Sequence, residues 1–155
     1  MKSSELDQYQ NDLVHSVETP AIRSPANGPE LKETLLVVDD DPLVRNFEVR
    51  FLSREGYTVL QADSAAEALR LAGEIATINL LITDLLMPEV DGIELARRFR
   101  AVHPTTPVLI VSGSLFLFRE RSDVDLDRFE LLEKPFHLSE LLHKVQSLLD
   151  GDTPP

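Results

Sequence analysis

Four apolar runs in this 155-residue chain end in polar residues whose types suit phosphorus chemistry. Val37-Val38 runs into Asp39-Asp40-Asp41, Ile82-Thr83 into Asp84, Val111 into Ser112-Gly113, and Leu131-Leu132 into Glu133-Lys134-Pro135. Carboxylates drawn together from two strand ends repel one another unless something positive lies between them. A hard divalent cation answers this, because Mg²⁺ takes oxygen ligands in octahedral geometry, keeps several waters, and accepts one or two carboxylates, a backbone carbonyl and a phosphoryl oxygen. No histidine or thiol cluster points to zinc, and the chain has no cysteine at all. The lysine adds a point charge suited to a phosphoryl oxygen or a carboxylate, and the serine hydroxyl adds a donor on the opposite side. Such a set stabilises spread negative charge during in-line phosphoryl transfer, with one carboxylate as the nucleophile.

The elements that must position these residues can be read from periodicity. From Thr34 onward, apolar runs at 34–38, 57–61, 79–83, 107–111 and 129–133 alternate with five helical patterns. That alternation predicts an α/β fold with a parallel sheet and helices on both faces, in which ligands bind beyond the carboxyl ends of the strands. The first helix starts at Pro42, carries Leu43, Phe47 and Phe51 along one face, and stops at Gly56. The second opens with Ser64-Ala-Ala-Glu67 and stops near Gly73, and the third opens with Asp91-Gly-Ile-Glu94, so both carry caps. Leu138, Leu141, Leu142, Val145, Leu148 and Leu149 form the clearest amphipathic stripe, with His137 at the expected cap. Between 114 and 128 the pattern is weakest: Leu115 to Phe118 reads as a short helix, and Asp123, Asp125 and Asp127 break the periodicity.

Residues 1–33 read as a tail and linker, with Pro20, Pro25, Gly28 and Pro29 in a polar setting. Within it, Leu6, Tyr9, Leu13 and Val17 recur at helical spacing behind Ser4 and Asp7, which suits a short amphipathic helix ending before Pro20. Residues 34–150 form the domain, and 151–155 a second tail. A net charge of −12 repels phosphate backbones and anionic membranes, so protein partners are expected, not nucleic acid or lipid. With an acidic N-terminus and no apolar run of membrane-spanning length, the expectation is a cytoplasmic protein.

Taken together, Val37-Val38-Asp39-Asp40, Asp84-Leu-Leu-Met87-Pro88 with Asp91-Gly92, Val111-Ser112-Gly113 and Lys134-Pro135-Phe136 resemble the two-component response-regulator receiver family over about residues 34–150. The resemblance implies a flavodoxin-like (βα)5 doubly wound sheet of strand order 2-1-3-4-5. It implies Asp84 as phosphoacceptor, Asp39 and Asp40 as the acidic pair organising Mg²⁺, and the Leu86 carbonyl completing the protein's share of the metal shell. Ser112 matches the hydroxyl that hydrogen-bonds the phosphoryl group, and Lys134 the site lysine, whose bond to Pro135 is usually cis in this family. The implied donor is a histidine kinase or a histidine phosphotransfer protein, and the implied output is a change in affinity for a further protein. No enzymatic turnover of a separate substrate is expected. Because the chain ends soon after its last helix, a stand-alone module acting on another polypeptide is the expectation.

The pattern also departs from the family's. Leu131 stands where an aromatic switch residue is common, three positions before the lysine, with Phe129 two residues earlier on the same strand face as the one substitute. Leu115-Phe116-Leu117-Phe118 is unusually apolar and, where exposed, suits a partner or a homodimer contact. Competing readings exist. Asp39, Asp40 and Asp41 could be a solvated run capping the helix at Pro42, and for Asp41 a cap is the better reading. A receiver-shaped interaction module that is not phosphorylated is the main alternative. An aspartate-nucleophile phosphohydrolase would need a second aspartate two residues after Asp84, where Leu86 stands. A dinucleotide-binding domain would need a glycine-rich turn where the first strand meets aspartates.

Overall fold

Leu35, Leu36, Val37 and Val38 are all buried, so β1 (Thr34–Val38) is apolar on both of its faces, as a strand between two helix layers must be. The computed structural model describes residues 32–121 and 128–151. Here the chain runs β1, α1 (Pro42–Arg54), β2 (Thr58–Ala62), α2 (Ala65–Glu74), β3 (Leu80–Asp84), α3 (Gly92–Val102), β4 (Val108–Ser112), α4 (Leu115–Arg119), β5 (Glu130–Glu133) and α5 (Leu138–Asp150). The five strands are parallel in the order 2-1-3-4-5, the flavodoxin-like arrangement expected from the sequence.

Alternate side chains of each strand feed two cores. On one face Leu36, Val38, Leu81 and Ile110 meet Ala65, Ala68 and Ala72 of α2 and Ile93, Ala96 and Phe99 of α3. On the other, Leu35, Val37, Leu80, Ile82, Leu109 and Val111 meet Leu52 of α1 and Leu141 and Val145 of α5. The helix starts behave as their residue types require. The side chains of Asp41, Ser64 and Asp91 accept from main-chain N–H groups of Leu43, of Glu67, and of Ile93 and Glu94, respectively. At α5 the His137 N–H donates to the Glu140 carboxylate, and Gly151 closes the helix at φ 75°.

Two expectations need correction. Of the apolar face expected on α1, Leu43 and Phe47 point to solvent, 79% and 57% exposed, while Phe51 packs partly buried against the core and Glu48 and Leu52 face inward. Strands β2, β3 and β4 each begin and end one residue later than periodicity suggested, which makes Asp84 and Ser112 ladder members paired with Val111 and Glu133. The expected N-terminal helix, most of the linker, and the acidic residues Asp123 to Asp127 lie outside the described residues. No described helix is long and apolar enough to cross a membrane.

Candidate functional site

The carboxyl ends of β1 and β3 lie side by side, because β1 pairs with β3 through Val38 and Thr83. Asp39 and Asp40 follow the first strand and Asp84 ends the third, so the topology brings three carboxylates to one mouth. An oxygen from each lies within 4.8 Å of the others. Asp39 is buried, Asp84 half-buried and Asp40 exposed, giving a graded opening from core to solvent.

Each carboxylate is held differently. Asp39 Oδ1 accepts from the Asp41 N–H at 2.8 Å, and its main-chain carbonyl accepts from the Arg45 guanidinium at 2.7 Å. Lys134 Nζ lies 3.3 Å from Asp39 Oδ2 and 3.9 Å from Asp84 Oδ2, bridging the two strand ends. Asp84 is pushed above the ordinary carboxylate range by partial burial, an effect that Lys134 opposes and the Asp39 charge reinforces. Asp41 accepts from Leu43 N–H at 2.9 Å, so it serves as a helix cap and stands outside the acidic group.

Ser112 is buried at the end of β4, its hydroxyl accepting from the Ser114 N–H at 3.1 Å, while its carbonyl receives the Lys134 N–H at 3.0 Å. Lys134 precedes a cis bond to Pro135. Leu86 lies just beyond Asp84 with half its surface exposed. Gly92 closes the loop that follows: a Cβ there would sit 2.3 Å from the Asp84 carbonyl oxygen, so only glycine lets α3 start this close to the acceptor strand.

The donor set suits a small hard cation. Three oxygen ligands carry more charge than one lysine balances, and the nitrogen and sulfur donors that zinc prefers are absent from the group. Mg²⁺ therefore fits Asp39, Asp40 and Asp84.

Two residues near the site went unread in the sequence. Glu48 is 3% exposed, and its Oε1 is buried without a hydrogen-bond partner among the described residues. Burial drives its pKa to about 7, opposed by Lys134 and reinforced by Asp39 and Asp84. The available signal was its spacing: Glu48 lies one turn before Leu52, on the helix stripe that the sheet must cover. Arg45 is the other, since its contacts to the Asp39 carbonyl and to Gln61 depend on tertiary placement alone.

Phe129 does not take the place of an aromatic switch. Glu130 pairs with Leu109 and Glu133 with Ser112, so Phe129 sits about 13 Å down the strand from the level of Ser112. Leu131, level with Ile110, is the side chain on that face closer to the hydroxyl.

Comparison with known proteins agrees with this geometry. A family model described as "Response regulator receiver domain" matches residues 35–146. The response regulator receiver protein CpdR of Brucella abortus is 36% identical over 116 residues, covering 74% of this chain and 95% of that protein. The sensor kinase CckA of the same organism is 37% identical over 119 residues, 76% of this chain but 12% of the kinase. The chain likewise spans about half the length of several other response regulators that it matches. Among solved structures, the response regulator protein TrrA of Thermotoga maritima in complex with Mg²⁺-BeF is 30% identical, with a TM-score of 0.66 over 75% of this chain and 98% of that one.

Proposed function

Since the chain belongs to the response regulator receiver family, we propose that Asp84 accepts a phosphoryl group from a histidine kinase or phosphotransfer protein and that the domain signals by protein contacts. The observation that carries this is the convergence of three carboxylates within 4.8 Å, with Lys134 lying against two of them. The Mg²⁺–BeF complex of TrrA supports the metal part of the reading.

Asp84 is the nucleophile because it alone of the three ends a strand with its carboxylate partly open to an incoming donor. As its oxygen bonds to phosphorus, the bond to the donor's imidazole nitrogen breaks, and the electron pair leaves with that nitrogen. Lys134 neutralises charge on the phosphoryl oxygens, and the Ser112 hydroxyl, which accepts from the Ser114 N–H, keeps its own proton to donate to another. Asp39, Asp40, Asp84 and the Leu86 carbonyl would hold Mg²⁺, which supplies charge neutralisation at the transferring group. Asp39 is fixed for this by Arg45 and by the Asp41 N–H.

On this reading the domain performs chemistry only on itself and resides in the cytoplasm with its donors. The net charge of −12 favours protein targets over nucleic acid. Leu86 offers hydrolytic water no hydrogen bond, so Leu86→Asn shortens the phosphoryl lifetime, measured as decay of the phosphorylated mass. Acetyl phosphate with Mg²⁺ adds one phosphoryl group to the intact mass of the wild type and none to Asp84→Asn. Equal addition to both, or addition without Mg²⁺, would reject the proposal.

A further inference from the structure

The loop that leads from Asp84 to α3 takes a shape that its own backbone disfavours. Glu89 sits at φ 68°, in the left-handed region that a side chain resists. Turns tie the loop across itself, with the Val90 N–H donating to the Pro88 carbonyl and the Gly92 N–H to the Leu85 carbonyl, both at 2.8 Å. A strained backbone persists where the surrounding contacts hold it.

Asp91 supplies that hold from two sides. Its Oδ1 accepts from the Ile93 and Glu94 N–H groups at 3.0 and 2.9 Å, which fixes the start of α3, and its Oδ2 accepts from Arg121 Nη1 at 2.7 Å. Partial burial pushes the Asp91 carboxyl up, yet the Glu94 N–H and the Arg121 guanidinium hold it below the ordinary carboxylate range. Arg121 lies 30 residues further along, beyond α4 on the limb that begins at Ser112, so the ion pair joins two loops of the same mouth. Gly92, next to Asp91, is packed against the Asp84 carbonyl, and a displacement at position 91 therefore reaches the acceptor directly. The pair is a poor candidate for a stabilising device. Its side chains are 39% and 31% exposed, and ion pairs open to solvent add little to folding stability. Nor does an acidic cap need a cation, since Asp41 caps α1 through the Leu43 N–H with no ion pair among the described residues.

We propose that Arg121 is a positioning residue for phosphorylation: by gripping Asp91 it holds residues 85–92 in the shape that presents the Leu86 carbonyl and the Asp84 carboxylate to one Mg²⁺ ion. This rests on the metal reading of Asp84 given above. Coulomb's law alone gives the opposite sign, because removing a cation near a metal site should strengthen metal binding. The direction of the effect therefore separates positioning from simple electrostatics.

The test is a double-mutant cycle on the full-length chain, which isolates the pair from whatever else Arg121 touches. Asp91→Asn keeps an oxygen for the cap and removes the charge, while Arg121→Gln removes the cation. Mg²⁺ titration followed by amide NMR should show about two- to fivefold weaker binding in each single variant, no further loss in the double variant, and Arg121→Lys closer to wild type. Before metal is added, amide exchange over residues 85–92 should quicken in the same variants while the melting temperature stays close to wild type. Tighter or unchanged Mg²⁺ binding by Arg121→Gln, or losses that simply add in the double variant, would overturn the proposal. If the wild type took up no Mg²⁺, the metal reading would fall and this proposal with it; normal wild-type binding with an unaffected Arg121→Gln overturns this proposal alone.

Discussion

Helices α1 and α5 are each 13 residues long and pack on the same face of the sheet, yet they meet it in different ways. In α5 the apolar stripe and the buried stripe coincide: Leu141 and Val145 are fully covered, Leu148 and Leu149 partly so. In α1 they part company, with Leu43 and Phe47 left in solvent and the Glu48 carboxyl taken inside. The difference follows from the neighbourhood. The start of α1 caps the loop that carries Asp39 and Asp40, so the helix is oriented by the Asp41 cap and by Arg45 reaching back to Asp39. A helix whose first turns bond the acidic loop answers to that loop's geometry, while the face of α5 follows its apolar stripe.

If this contrast is right, the core positions of both helices should carry the largest effects. Leu141→Ala and Leu52→Ala should each cost about 2–5 kcal/mol in denaturant unfolding, through lost burial and a cavity. A similar loss on truncating exposed Leu43 would break the contrast, since a surface change there should stay within roughly 0.5 kcal/mol.

Glu48 sharpens it. Its pKa rises from 4.5 to about 7 on folding, so between those values the folded chain keeps a proton that the unfolded chain has lost. Stability from this group is greatest below the lower value and falls as pH rises through the upper one. Replacing Glu48 by Leu should therefore stabilise the fold more at pH 8 than at pH 4, with the two gains differing by about 3 kcal/mol. A gain that does not change with pH would show that the carboxyl ionises freely in place.

The smallest effects should come from the helix starts. Glu140→Ala removes the acceptor for the His137 N–H, and Asp41→Ala the acceptor for that of Leu43, each costing about 1 kcal/mol. Only Asp41→Ala should also slow phosphorylation, because losing the side-chain cap loosens the turn whose main-chain N–H at position 41 holds the Asp39 carboxylate. Equal phosphorylation rates for the two variants would mean that the loop keeps its shape without its cap.

Much of this molecule was legible in its residues. The gathering of Asp39, Asp40, Asp84, Ser112 and Lys134 at one edge follows from polar residues closing apolar runs, because a parallel sheet puts all such ends on one edge, whereas the strand order was implied only by the resemblance to the receiver family. Caps at Ser64 and Asp91 were legible for a local reason: the side chain bonds to an amide two or three residues away. Glu48, Arg45 and the reach of Phe129 were not, since each depends on the angle of a helix or the level of a strand. Leu43 and Phe47 misled because periodicity identifies an apolar face without saying whether anything covers it.

The most direct test of the central claim locates the modified atom. Treating the acetyl phosphate product with borohydride reduces an acyl phosphate to an alcohol, and peptide mapping then reports which residue carried it. Homoserine at position 84 alone is the predicted result. Reduction at Asp39 or Asp40, or phosphate surviving on a hydroxyl or histidine instead, would contradict it.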